Sequence, residues 1–217
     1  MIRDHDALRS LLETVSRFVR ERLVQAEQTV EESDEIPADI IAAMKTMGLF
    51  GLTIPEEYGG LGLTMEEEVL VMFEMGQTSP AFRSLFGTTI GIGSQGILMD
   101  GTEEQKARYL PRLASGELIA SFALTEPEAG SDAASLRTPA TLSGESYVLN
   151  GAKRFITNAP LAGIFTVMAR TDPGSKGASG VSAFIVEAKT PGLRLGKRDR
   201  KMGQRGWLGM TWPKQYG

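Results

Sequence analysis

The apolar residues of this chain change their period once, close to residue 120, and that change constrains the fold more than any other feature. Before it the spacing is helical. Leu8, Leu11, Leu12, Val15, Phe18, Val19 and Leu23 follow the i, i+3, i+4 rule of an amphipathic helix. The acidic stretch at residues 27–35 is expected to separate this helix from a second one opening at Pro37, where a first-turn proline loses no hydrogen bond. Ile40, Ile41, Met44 and Met47 continue that helix, and Gly48 is its natural stop. Residues 51–62 read as a turn-rich loop. Thr64 with Glu67, and Thr102 with Gln105, are capping-box patterns that open two further helices, the second ending around Tyr109-Leu110-Pro111. Between them, residues 82–99 are apolar and rich in small side chains.

Beyond Gly116 the runs become short, β-branched and aromatic. They fall at residues 119–124, 147–149, 165–168 and 181–186, with Gly, Pro, Asp and Ser between them. Helices followed by strands, without βαβ alternation, indicate an α+β fold. The division is expected at residues 1–118 for a helical domain and 119–207 for a β domain, with 208–217 as a divergent tail.

Composition narrows the function. With 23 Lys and Arg against 27 Asp and Glu, the net charge of −4 gives no basic face for nucleic acid. Cysteine is absent and His5 is the sole histidine, which excludes disulfides, thiolate chemistry and Cys- or His-rich metal sites. No stretch approaches the ~18 apolar residues of a membrane span, and residues 1–6 carry no signal-like apolar run. A cytoplasmic location is the expectation, with no membrane partner.

One segment concentrates chemistry: Ala123-Leu124-Thr125-Glu126-Pro127-Glu128-Ala129-Gly130-Ser131-Asp132-Ala133-Ala134-Ser135. A strand ends there in a tight Pro/Gly loop that presents the Thr125 and Ser131 hydroxyls beside backbone N–H groups. Such loops favour anions, and a hydroxyl adds a donor for a ring carbonyl or a phosphate. Taken alone, the pattern fits a structural turn as well. Glu126 and Asp132 read as carboxylates that organise the loop rather than as acid/base catalysts.

In residue order this segment resembles the first signature of the acyl-CoA dehydrogenase family. A second family block, Gly151-Ala152-Lys153-Arg154-Phe155-Ile156-Thr157-Asn158, follows at the family's spacing. The helical half is similar as well, through Pro55-Glu56-Glu57-Tyr58-Gly59-Gly60, Gly101-Thr102-Glu103-Glu104-Gln105-Lys106, Tyr109-Leu110-Pro111 and Leu113-Ala114-Ser115-Gly116-Glu117. So is Lys201-Met202-Gly203-Gln204-Arg205-Gly206. The resemblance covers roughly residues 1 to 207.

That resemblance implies an N-terminal all-helical bundle followed by an antiparallel β-barrel-like domain that binds FAD. It implies α,β-dehydrogenation of a fatty acyl-CoA thioester, with an electron-transfer flavoprotein as a partner and a homo-oligomer in the full-length form; the electron acceptor itself is not read from the sequence. Phe122, Leu124 and Thr125 would line the isoalloxazine, Thr125 bonding its pyrimidine side. Gly130 and Ser131 would meet the pyrophosphate, and the Ser131 backbone would lie near acyl-CoA. Phe155 takes an aromatic position packed on the flavin where many members have Trp, keeping the apolar face but losing an N–H donor. Thr157 would hydrogen-bond N5. Without the neighbouring motif, Phe155 and Thr157 read as a plain strand of alternating faces.

No catalytic base is assigned within the chain. The family's glutamate comes from a C-terminal helical domain, expected to be missing here because the match dissolves after Trp207. The chain alone is therefore expected to be inactive. A non-catalytic flavin or acyl-CoA binding module, an inactive paralogue, and an acyl-CoA oxidase or nitroalkane oxidase relative are the alternative readings. Arg194, Lys197, Arg198, Arg200, Lys201 and Arg205 form a basic run that reads as solvated surface or as a contact for CoA phosphates. The small residues Gly87, Thr88, Thr89, Gly91 and Gly93 fit either an acyl-chain channel or close helix packing. Residues 209–217 loosely echo 51–59, by coincidence or as the start of a second copy.

Overall fold

The computed structural model describes residues 2–175 and 177–196. Helix α1 (His5–Phe18) passes through a π-helical turn (Val19–Leu23) directly into α2 (Val24–Ser33). The acidic stretch is thus helical as far as Ser33 instead of separating two helices. Glutamate and glutamine are good helix formers, Val30 gives this segment a buried anchor, and Asp34 closes it in the left-handed conformation at φ 56°. Helix α3 (Ala38–Thr46) starts with Pro37 at its N-cap, and Gly48 follows it at φ 73°, a conformation open to glycine at little cost.

Both capping boxes form. Thr64 and Glu67 open α4 (Met65–Met75), and Thr102 and Gln105 open α7 (Glu103–Ala114). Helix α7 passes its expected end because the fully buried Leu110 and Leu113 hold a last turn that contains Pro111. Between these helices, α5 (Pro80–Thr88) and α6 (Gln95–Asp100) flank a π-helical turn (Thr89–Gly93), broken at Gly91 with φ −87° and ψ −109°. The break frees the Ile90 carbonyl, which accepts hydrogen bonds from Thr53 Oγ1 at 2.7 Å, Ser94 Oγ at 3.3 Å and Gln95 Nε2 at 3.3 Å.

The strands are β1 (Ala120–Ala123), β2 (Ala140–Ser143), β3 (Ser146–Leu149), β4 (Ile164–Arg170) and β5 (Val181–Glu187). They make a three-stranded sheet in the order β1-β4-β5 and a separate β2-β3 hairpin. Helices followed by sheet are as expected. The sheet itself is mixed, because β1 lies parallel to β4 with Ala120 opposite Ile164, while β4 and β5 are antiparallel. Residues 124–163 are long enough for the crossover that parallel pairing needs. Among the described residues the strands do not close into a barrel. The tail at 208–217, its echo of 51–59 and the basic run from Lys197 onward lie outside the described residues.

A close seam joins the two halves. Thr89 Oγ1 accepts from the Ala120 N–H at 3.1 Å, and Thr166 Oγ1 donates to the Gly93 carbonyl at 3.4 Å. A Cβ on Gly93 would stand 2.6 Å from the Ala120 Cβ, so only glycine permits this approach. Ile54, Ile97, Leu110, Leu113, Ala120 and Ile164 pack as one apolar cluster across the seam.

Candidate functional site

Strand β1 delivers its last residues to a loop that folds back on itself, with Glu126 and Ala129 exchanging backbone hydrogen bonds. Glu126 points inward and is 7% exposed. Its Oε2 accepts from the Arg137 N–H at 2.7 Å, and its Oε1 from the Thr138 N–H at 2.9 Å and Lys153 Nζ at 2.8 Å. Burial by itself would raise this carboxyl, but the hydrogen bonds from Lys153, Thr138 and Arg137 outweigh it and hold the pKa at about 2. A carboxylate so engaged is a poor proton acceptor; it organises the loop. Asp132, exposed, accepts from the Ser135 hydroxyl at the start of a 3₁₀ turn (Ala133–Ser135).

The second motif lies against the first. The Arg154 N–H donates to the Thr125 carbonyl at 2.8 Å, and Ser121 Oγ donates to the Thr157 carbonyl at 2.7 Å. Asn158 Nδ2 reaches the carbonyls of Ser84 at 2.9 Å and Leu85 at 3.0 Å, anchoring the loop on α5. Residues 151–163 contain no strand, so the alternating-strand reading of Phe155 and Thr157 is overturned. The reason is in the backbone: Phe155 at φ 58° and Asn158 at φ 63° are left-handed, which a regular strand does not accommodate. For a bulky residue such as Phe155 this conformation costs on the order of 1–3 kcal/mol and persists only when its surroundings enforce it. Phe155 is 68% exposed, with the Arg154 guanidinium carbon 4.8 Å from its ring centroid.

Of the residues singled out from sequence, Phe122, Leu124, Thr125, Phe155 and Thr157 are thereby drawn together at the end of β1. Phe122, Leu124 and Thr125 are half-buried, while Gly130, Ser131 and Thr157 are exposed. Gly130 adjoins Thr125, since a Cβ there would lie 3.9 Å from Thr125 Cγ2. Among the described residues, the hydroxyls of Thr125, Ser131 and Thr157 have no hydrogen-bond partner. The surroundings therefore hold an exposed aromatic face, three uncommitted hydroxyls and an open glycine turn, a set that fits a planar polar ring carrying an anionic chain.

Arg170 is a residue the sequence did not single out. From the end of β4 its guanidinium donates to the carbonyls of Leu136 at 3.0 Å, Ala134 at 2.8 Å, Ser175 at 3.3 Å and Gly177 at 3.3 Å. It braces the far side of the 126–138 loop. An arginine ending a strand has no local signature, and its carbonyl partners are spread over the sequence. Lys153, the partly buried partner of Glu126, is equally hidden in its motif. Of the small residues at 87–93, Thr89 and Gly93 serve the seam between the halves, which favours close packing. Arg194 is exposed. Among the described residues there is no His, Asp or Glu cluster suited to a metal, and no helix is long and apolar enough to cross a membrane.

Two family models match the chain: acyl-CoA dehydrogenase, N-terminal domain, over residues 5–117, and acyl-CoA dehydrogenase, middle domain, over residues 121–211. An acyl-CoA dehydrogenase of Bacillus subtilis is 43% identical over 189 residues, covering 87% of this chain and 50% of that protein. A glutaryl-CoA dehydrogenase from Mycobacterium smegmatis, solved in complex with FADH2, superposes with a TM-score of 0.82 at 36% identity, covering 92% of this chain and 50% of that one. A chain in the structure of the electron transferring flavoprotein of Acidaminococcus fermentans superposes with a TM-score of 0.86 at 34% identity, covering 93% and 53%. The chain thus spans about half the length of the curated relatives it matches.

Proposed function

The chain belongs to the acyl-CoA dehydrogenase family, and on that premise we propose that residues 120–135 and 151–158 form one wall of an FAD site serving the α,β-dehydrogenation of an acyl-CoA thioester. The observation that carries this reading is the convergence of both motifs on the end of β1, tied by the Arg154 to Thr125 hydrogen bond. The FADH2 complex of the similar glutaryl-CoA dehydrogenase supports the choice of cofactor. In this reading the boundary lies between a helical domain at 1–118 and a flavin-binding domain at 119–207.

FAD, when bound, would supply the hydride acceptor for this dehydrogenation. The protein's part is binding and orientation. Thr125 would donate to the pyrimidine side of the ring, with Phe122 and Leu124 lining it. Gly130 and Ser131 would meet the pyrophosphate, the Ser131 backbone also nearing acyl-CoA. Phe155 would offer its exposed face to the ring, and the Thr157 hydroxyl would serve N5. Glu126 would not serve as acceptor for the α-proton, because its carboxylate is committed to the loop. An electron-transfer flavoprotein is the proposed electron acceptor, in line with the structural likeness reported above, and a homo-oligomer the proposed assembly.

Titration of the chain with FAD and with FMN, followed by flavin fluorescence and visible absorbance, tests the reading. FAD should bind reversibly and FMN more weakly, since FMN lacks the second phosphate and with it hydrogen bonds worth about 1 kcal/mol each. Thr157→Val should shift the absorbance of bound flavin while preserving the fold. Indifference to FAD, or a preference for FMN, would overturn the assignment.

A further inference from the structure

We propose that the buried Glu126–Lys153 ion pair is a positioning device that sets the register between the two loops facing the flavin. The pair's geometry stands by itself; only its ligand rests on the FAD reading above.

Both side chains are nearly sealed from water, Lys153 at 10% and Glu126 at 6% exposure. Desolvating two charges consumes much of what their attraction returns, and a well-packed apolar pair often serves stability as well. Stability alone is thus a poor reason for this pair, whereas direction is a good one. Lys153 Nζ donates to the Leu124 carbonyl at 3.0 Å and to Glu126 Oε1 at 2.8 Å, one residue on each side of Thr125. The next residue along, Arg154, bonds the Thr125 carbonyl through its own N–H. Residues 153 and 154 therefore grip 124, 125 and 126 in alternation. Meanwhile Glu126 holds the N–H groups of Arg137 and Thr138 and so fixes where the far side of its loop returns. Apolar contacts would tolerate sliding; charge-assisted hydrogen bonds of defined angle do not. Phe155 follows immediately, in a left-handed conformation that only an enforced register sustains.

The test compares three 217-residue chains: the parent, Lys153→Met, and the double variant Glu126→Gln with Lys153→Met. Three readouts are taken on each: urea unfolding midpoint, exchange of the Arg154 amide, and FAD affinity. Lys153→Met strands a buried carboxylate and should lose stability, Arg154 protection and FAD binding together. In the double variant no charge is stranded, so the unfolding midpoint should recover part of what Lys153→Met loses, the rest being the backbone N–H that glutamine cannot accept. The Arg154 amide should still exchange at least tenfold faster than in the parent, and FAD should still bind at least tenfold more weakly. A double variant that recovers all three properties would reduce the pair to a stability element and overturn the proposal. So would unchanged Arg154 exchange in Lys153→Met. Should the double variant not fold, Glu126→Gln alone is read by Arg154 exchange, which should again rise at least tenfold; unchanged exchange there would overturn the proposal. A parent chain that ignores FAD, with Arg154 still loosened in the variants, would support the register claim and sink the FAD reading instead.

Discussion

The helical half and the sheet half of this molecule hold together by different means. The largest fully buried side chains, Phe50, Phe82 and Phe86 among them, all belong to the helical half. There, Phe50 and Phe86 meet edge to face at 6.4 Å, and the helix ends are closed by local caps. In the sheet half the polar side chains do much of the joining. Glu126 and Lys153 tie three segments, Arg170 collects four carbonyls, and the β2-β3 hairpin leaves Leu142 and Val148 exposed. Apolar volume holds the helical half. Directional bonds hold the sheet half, which can keep an exposed face open to solvent without collapsing onto it.

Core truncation should separate the halves most widely. Phe86→Ala is expected to cost about 3–5 kcal/mol in urea unfolding, whereas Val148→Ala on the exposed hairpin should stay within about 0.5 kcal/mol. Equal losses would end the distinction. Arg170→Ala comes next, at about 1.5–3 kcal/mol for the loss of hydrogen bonds from a charged donor. The same variant should admit proteolytic nicks within residues 126–138 and 171–180 while the helices stay intact; nicking in the helices would contradict it.

Acid addresses one carboxylate in each half. Backbone hydrogen bonds from Arg3 and Thr64 hold Glu67 at about 2, and Glu126 sits at about 2 for the reasons given above. A folded pKa below the ordinary value of 4.5 means stability that is complete above that value and lost as pH falls from 4.5 towards 2. Glu126→Gln should flatten the acid limb of sheet unfolding, followed by amide exchange in β4, and Glu67→Gln that of the helices. Identical curves for parent and variants would remove both assignments. Among the polar contacts the smallest effect belongs to the bridge between the halves. Arg108 meets Glu187 at 2.6 Å with both side chains largely exposed, so Arg108→Ala should cost only about 0.2–1 kcal/mol. A larger loss would mean that this contact, rather than the seam at Gly93, couples the two regions.

Local rules made the helical half legible. Thr64 with Glu67 and Thr102 with Gln105 announce two helix starts because a capping box closes within four residues. Failures there were of extent: Val30 and Leu113 prolong helices through burial, which spacing alone does not report. In the sheet half β2 went unnoticed, since Ala140-Thr141-Leu142-Ser143 is short and mostly exposed. The parallel partnership of β1 and β4 is likewise a contact between distant residues. At the candidate site the motif residues were visible as a set, but their support was not. Arg170 acts through carbonyls, and a carbonyl carries no residue identity for a sequence to display.

The parallel pairing of β1 with β4 has a consequence for the order of assembly. Ala120 cannot find Ile164 until everything between them has been threaded back across the sheet, and closing a loop of that length carries an entropic cost that nearest-neighbour helix contacts avoid. Both motifs ride inside that closure. The helices, each closed by its own local hydrogen bonds and caps, are expected to form first and to present Thr89 and Gly93 as a ledge. Strand β1 docks on that ledge, β4 then finds β1, and the two loops meet last. A stopped-flow experiment following amide protection should accordingly see Leu110 shielded before Val167, with Arg154 among the final amides to close.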